Sequence, residues 1–142
     1  MFAQLAESLP AILAFLSIGG GIATMIFFAA IVTPTAFQTL GEDQAGPFVR
    51  ALFPLYYLFF LILAALATLF TLLAGAEIAA ILLAVVTGGF AYGRFLLMPE
   101  IERAREAGEV ERRRRLHRRS VLINTIQLAG FLVALLLLAG RV

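Results

Sequence analysis

Residues 10–33 read PAILAFLSIGGGIATMIFFAAIVT, without one charged side chain. This stretch decides the fold. At about 1.5 Å per residue, roughly 20 apolar residues cross a hydrocarbon core about 30 Å thick. The run is long enough. Water rejects so continuous an apolar surface, whereas lipid tails accept it. Within lipid the backbone must satisfy its own hydrogen bonds, which leaves helices or a closed barrel. Barrel strands alternate polar and apolar side chains at every second residue, and this run does not. A transmembrane helix is predicted.

Working outward, three more apolar runs cover about 48–74, 78–98 and 120–140. Thr33-Pro34-Thr35 is predicted to end or kink the first run, with a simple end favoured, because proline cannot donate to the helix ladder. Residues Gly41 to Pro47 read as a polar turn, Gly75-Ala76-Glu77 as a tight connection, and Pro99 as a boundary. The one sizeable polar segment, 100–119, mixes Glu100, Glu102, Glu106, Glu109 and Glu111 with arginines at helix-pairing spacings. It is predicted to be helical, with Gly108 as an interruption. The expected fold is all-α and integral to the membrane. It is a single domain over 1–142, a four-transmembrane-helix bundle with a basic, cytoplasmic helical loop between the third and fourth helices.

Composition agrees: 62% of residues are hydrophobic and 14% charged, well below the roughly 25% charged residues of soluble domains. The N-terminus holds Glu7 but no basic residue before the first run, so it lacks the basic start of a secretory signal. A retained first helix is expected. Arginine placement sets orientation. Arg103, Arg105, Arg112, Arg113, Arg114, Arg115, Arg118 and Arg119 share one segment, Arg50 lies on the same side, and only Arg141 lies opposite. The positive-inside rule then makes 100–119 cytoplasmic and both termini external, in a bacterial inner membrane. Arg112, Arg113, Arg114, Arg115, Arg118 and Arg119 are expected to meet anionic lipid rather than nucleic acid.

The strongest chemical signal lies in the fourth run. His117, Ser120, Asn124 and Gln127 fall within an arc of roughly 80° on a helix. Gln127 would sit on the order of 10 Å deep. A buried amide needs partners. The stripe reads either as interhelical glue or as the lining of a bound molecule or ion path. Arg94, just inside the end of the third run, reads as a functional ionisable residue or as one reaching out to headgroups. Arg50 carries the same ambiguity. The topology is expected to gather Arg50, Arg94, His117, Ser120, Asn124 and Gln127 at one depth, with Tyr56, Tyr57 and Tyr92 nearby. That would make a cationic, hydrogen-bonding pocket. Gly19, Gly20 and Gly21, with Gly130 and Ala134, are read as helix-packing positions.

Several chemistries are set aside. No cysteine means no disulfide and no thiolate metal site, and it leaves the redox compartment open. One histidine excludes bis-histidine haem within a single chain. No metal or cofactor is expected, and no catalytic residue is assigned. No carboxylate pair lies within a run, which weakens proton-driven transport.

Gly19-Gly20-Gly21 with Thr33-Pro34, Leu52-Phe53-Pro54-Leu55-Tyr56-Tyr57, Met98-Pro99-Glu100-Ile101, and Leu116-His117 with Ser120 and Asn124 together carry a resemblance. The chain resembles the bacterial membrane family called domain of unknown function 4149, which includes relatives of the animal transmembrane protein 205. The resemblance implies a four-helix membrane protein and no particular activity. The animal relatives' association with platinum-drug resistance hints at transport or trafficking. Without cysteine or clustered methionine to bind platinum or copper, that property is not carried over. The expected function is non-enzymatic: binding of a lipid headgroup or a small polar or anionic molecule in the cytoplasmic half, as a transport or accessory subunit. One alternative is a membrane enzyme or redox-complex subunit using His117. Another is a purely structural subunit of a larger membrane complex. A homo-oligomer is a further expected arrangement.

Overall fold

The computed structural model describes the backbone of residues 2–141 and the side chains of 8–141, so the reading of Glu7 lies outside the described side chains. All the described secondary structure is helical. Helix α1 (Phe2–Phe27) passes through a π-helical turn (Phe28–Val32) into α2 (Thr33–Leu73). Helix α3 (Glu77–Tyr92) passes through a second π turn (Gly93–Leu97) into α4 (Met98–Glu106), and α5 (Val110–Ala139) follows. Three stretches are long and apolar enough to cross a membrane: Ser8–Leu73, Glu77–Glu106 and Val110–Ala139.

Two of the expected boundaries shift. Neither Thr33-Pro34 nor Pro99 ends a helix. Each proline is the second residue of the helix that follows a π turn. Proline has no N–H for the carbonyl four residues back, and its ring crowds that carbonyl. Widening the preceding turn removes the conflict: Thr33 N–H donates to Phe28 O, and Met98 N–H donates to Gly93 O. The same five-residue device occurs twice.

The expected polar turn over 41–47 shrinks to one residue. Gly41 alone leaves helical geometry, at φ 72° and ψ 166°, where a side chain would be strained. Glu42 and Asp43 follow it, which suits their charge to the start of the resumed helix. The chain doubles back across Gly41, for the Phe28 and Tyr56 rings lie 4.9 Å apart. Gly75, at φ 73°, closes α2 as anticipated: its N–H bonds Leu72 O and the Ala76 N–H bonds Thr71 O. Gly108, at φ 68°, separates α4 from α5.

The core is aromatic at its centre and alanine-rich around it. Phe60 and Phe90 stack with centroids 5.2 Å apart, and Phe131 lies 6.2 Å beyond Phe90. These rings join α2, α3 and α5. Helix α1 closes on them through Gly21, where a Cβ would lie 3.2 Å from Phe131. Ala14, Ala64, Ala67, Ala79 and Ala134 are buried and bring the backbones close. Outward, Leu16, Ile78, Val85 and Leu136 are each at least 66% exposed, part of an apolar outer surface. Three hydroxyls in the apolar region bond their own helices, Ser17 Oγ to Leu13 O, Thr68 Oγ1 to Ala64 O and Thr87 Oγ1 to Leu83 O, while the buried Thr71 Oγ1 has no partner among the described residues.

Candidate functional site

At the end of the bundle where α4 joins α5, a cavity of about 1030 Å³ opens between α2, the second π turn, α4 and the start of α5. Five of its lining residues are positions already singled out: Arg50 and Tyr57 on α2, Arg94 on the π turn, and His117 with Ser120 on α5.

Arg94 is carried inward by the π turn. Its Nε is buried with no hydrogen-bond partner among the described residues. Its guanidinium carbon lies 5.9 Å from the centre of the Phe95 ring. Tyr57 is buried and sits directly over Gly93, where any Cβ would overlap the ring. Only glycine lets the two helices meet there. The Tyr57 hydroxyl accepts a hydrogen bond from Asn124 Nδ2 at 3.0 Å, and Tyr56 donates to Asn124 Oδ1 at 3.2 Å. Asn124 also donates to Ser120 O at 3.0 Å, so its amide is committed on both ends.

The polar stripe of the fourth run therefore divides. His117 and Ser120 line the cavity, His117 exposed and Ser120 buried. Asn124 holds the cavity's tyrosine in place. Gln127 lies deeper and buried against Gly89, with Nε2 3.4 Å from Val86 O and Oε1 unpartnered among the described residues. It joins α5 to α3 and does not reach the cavity. Tyr56 is likewise behind the wall, and Tyr92 lies under Arg119, whose guanidinium carbon is 5.2 Å from the ring centre.

The packing glycines also separate. Gly21 and Gly130 are tight, the latter with a Cβ position 2.6 Å from Val86 Cγ2. At Gly19 and Gly20 a Cβ would meet nothing within 4 Å among the described residues, so neither is needed there for close packing. Ala134 is fully buried.

Glu102, Arg105, Glu111, Arg113 and Arg114 complete the charged lining, and sequence reasoning did not group them with the site. The usable signal was Gly108, which lets α4 and α5 fold against each other, with Ala104 fully buried. The ion pairs predicted for this segment form at three-residue spacing: Glu102–Arg105, Glu109–Arg112 and Glu111–Arg114. The hydrogen bonds from Arg105 hold the Glu102 carboxyl below the usual carboxylate range, with a smaller electrostatic contribution from Arg50. Arg50, Arg94 and Arg113 form no ion pair among the described residues. No group of three or more His, Cys, Asp or Glu able to hold a metal occurs among the described residues.

No curated protein and no solved structure matches this chain. Residues 16–110 match the model of a family described as a domain of unknown function, DUF4149. The matched region contains the glycine run of α1, both π turns with their prolines, Tyr57 and Arg94. It stops before His117, Ser120 and Asn124. Since the match covers well over half of the chain, the protein belongs to the DUF4149 family.

Proposed function

We propose that the protein is an integral membrane binder of an anionic headgroup or small polar anion, not an enzyme. In this reading Gly41 turns the first long stretch into a helical hairpin, so the chain spans four times. The arginine-rich end faces the cytoplasm of a bacterial inner membrane and both termini face out. The observation that carries the function is the convergence of Arg50, Arg94 and Arg113, all without an ion pair among the described residues, on one cavity with Tyr57, His117 and Ser120. An arginine beside lipid is costly unless paired, and a bound anion supplies the pair. Arg112 and Arg119, turned to Glu109 and Tyr92, are left to the membrane surface and the fold.

Native mass spectrometry of the protein released gently from its own membrane tests this. Wild type should retain an added mass that Arg94→Ala and Arg50→Ala both abolish, while Arg141→Ala keeps it. A bare wild-type chain would remove the proposal. Retained stoichiometric proteins instead of a small mass would make the chain an accessory subunit.

A further inference from the structure

The cavity has two chemistries, and both must be satisfied by one occupant. Its charged lining can be counted. Five arginines and His117 line it, against Glu102 and Glu111. Glu102 is taken by Arg105 and Glu111 by Arg114. Arg50, Arg94 and Arg113 stay uncompensated, and the buried Nε of Arg94 still needs an acceptor. A singly charged carboxylate or phosphodiester would leave most of that charge unanswered. A phosphate monoester carries about −1.5 to −2 at neutral pH and several strong acceptor oxygens. Arginine's planar fork matches such a group in two-point contacts.

The rest of the lining is largely apolar, including Phe37, Val49 and Phe53 from α2 and Met98 and Ile101 from α4. A free phosphate or a glycerol phosphate would leave this surface wet and occupy a small part of about 1030 Å³. Sites of roughly 300–1,000 Å³ hold ligands of drug size or larger.

We infer that the cavity selects an acylated phosphate monoester, with the phosphate held by Arg50, Arg94 and Arg113 and the acyl chain against Phe53 and Met98. The inference deepens the proposed anion-binding function and rests on it. It names both the head charge and the tail, where that reading asks only for an anion.

The test uses the delipidated full chain in mild detergent, with binding read by native mass spectrometry. The probes are 1-oleoyl lysophosphatidate, oleate and glycerol 3-phosphate. Lysophosphatidate should bind at least tenfold more tightly than either of the others. Arg94→Gln and Arg50→Gln should each weaken it at least tenfold, and Arg141→Gln should not. Phe53→Ser should weaken lysophosphatidate but leave any weak glycerol 3-phosphate binding unchanged. Thermal unfolding of each variant within a few degrees of wild type excludes misfolding as the cause. Oleate binding as tightly as lysophosphatidate, with the same arginine dependence, would overturn the phosphate assignment and keep the anion site. Glycerol 3-phosphate binding equally well would overturn the acyl assignment and likewise keep it. Binding of none of the three probes would overturn this inference. If protein released from its native membrane also carried no small mass, the anion-binding function would fall with it.

Discussion

Tyr57 is held from two sides, by the bare backbone of Gly93 beneath its ring and by the Asn124 amide at its hydroxyl. Gly93→Ala should therefore cost about 1–3 kcal/mol, the usual penalty of overpacking. Gly20→Ala should be neutral or stabilising by up to about 1 kcal/mol, since nothing opposes its Cβ and alanine favours helix. Thermal unfolding in detergent distinguishes the pair, and equal losses would show that the glycine run is packed after all. The two amides should part in the same way. Asn124→Leu strands two tyrosine hydroxyls and should cost roughly 1–2 kcal/mol. Gln127→Leu removes one long bond and an unpartnered oxygen, and should cost less. The polar stripe itself was legible from spacing, because helix geometry fixes which side chains share a face. Which stripe members meet the cavity was not legible, since that depends on Gly89 receiving Gln127 and on Tyr57 receiving Asn124. Acid gives a further residue-scale outcome. Glu102 has a lowered pKa, so its contribution to the fold is present above the usual carboxylate range and fades as pH falls through its depressed value. Its NMR titration midpoint should move back up in Arg105→Gln, and by less in Arg50→Gln.

At the scale of elements, the two π turns decide where α2 and α4 point. Sequence reasoning located Thr33-Pro34 and Pro99 correctly and misread their consequence. A proline ends a helix only when the chain cannot open the preceding turn, and here it opens by one residue each time. Nothing in local propensity reveals that choice, because it depends on whether the helix beyond has something to pack against. Helix α4 packs on α5 through Ala104, and Met98 lies against the main core. The second π turn already absorbs one surplus residue, so inserting an alanine after Phe95 should turn α4 by about 100° about its axis. Helical content by circular dichroism should stay the same while retention of the native ligand mass is lost. Unchanged retention would mean that α4 contributes nothing to the site.

For the whole molecule, the proposed topology has a direct test, because the chain has no cysteine of its own. A single cysteine at Glu109 should react with an impermeant maleimide only after the cells are opened. Cysteines at Glu77 and Gly140 should react in intact spheroplasts. Labelling of all three from outside would break the four-span arrangement. The apolar runs made the membrane class readable at this scale. The site at the arginine-rich end was only half readable, for Arg113 and Arg114 join it through the fold of α4 on α5.

Every ion pair among the described residues closes locally, three positions apart, within α4, within α5 or from the residue that caps α5. Among the described residues no ion pair ties one wall of the cavity to another, and the walls meet through apolar contact and the hydrogen bonds of Asn124 to Tyr56 and Tyr57. Ionic strength should then act on the two properties of the molecule independently. Added salt screens the arginines and loosens their hold on an anion, while the scaffold around them, whose ion pairs are all exposed and contribute little, should nearly keep its melting temperature.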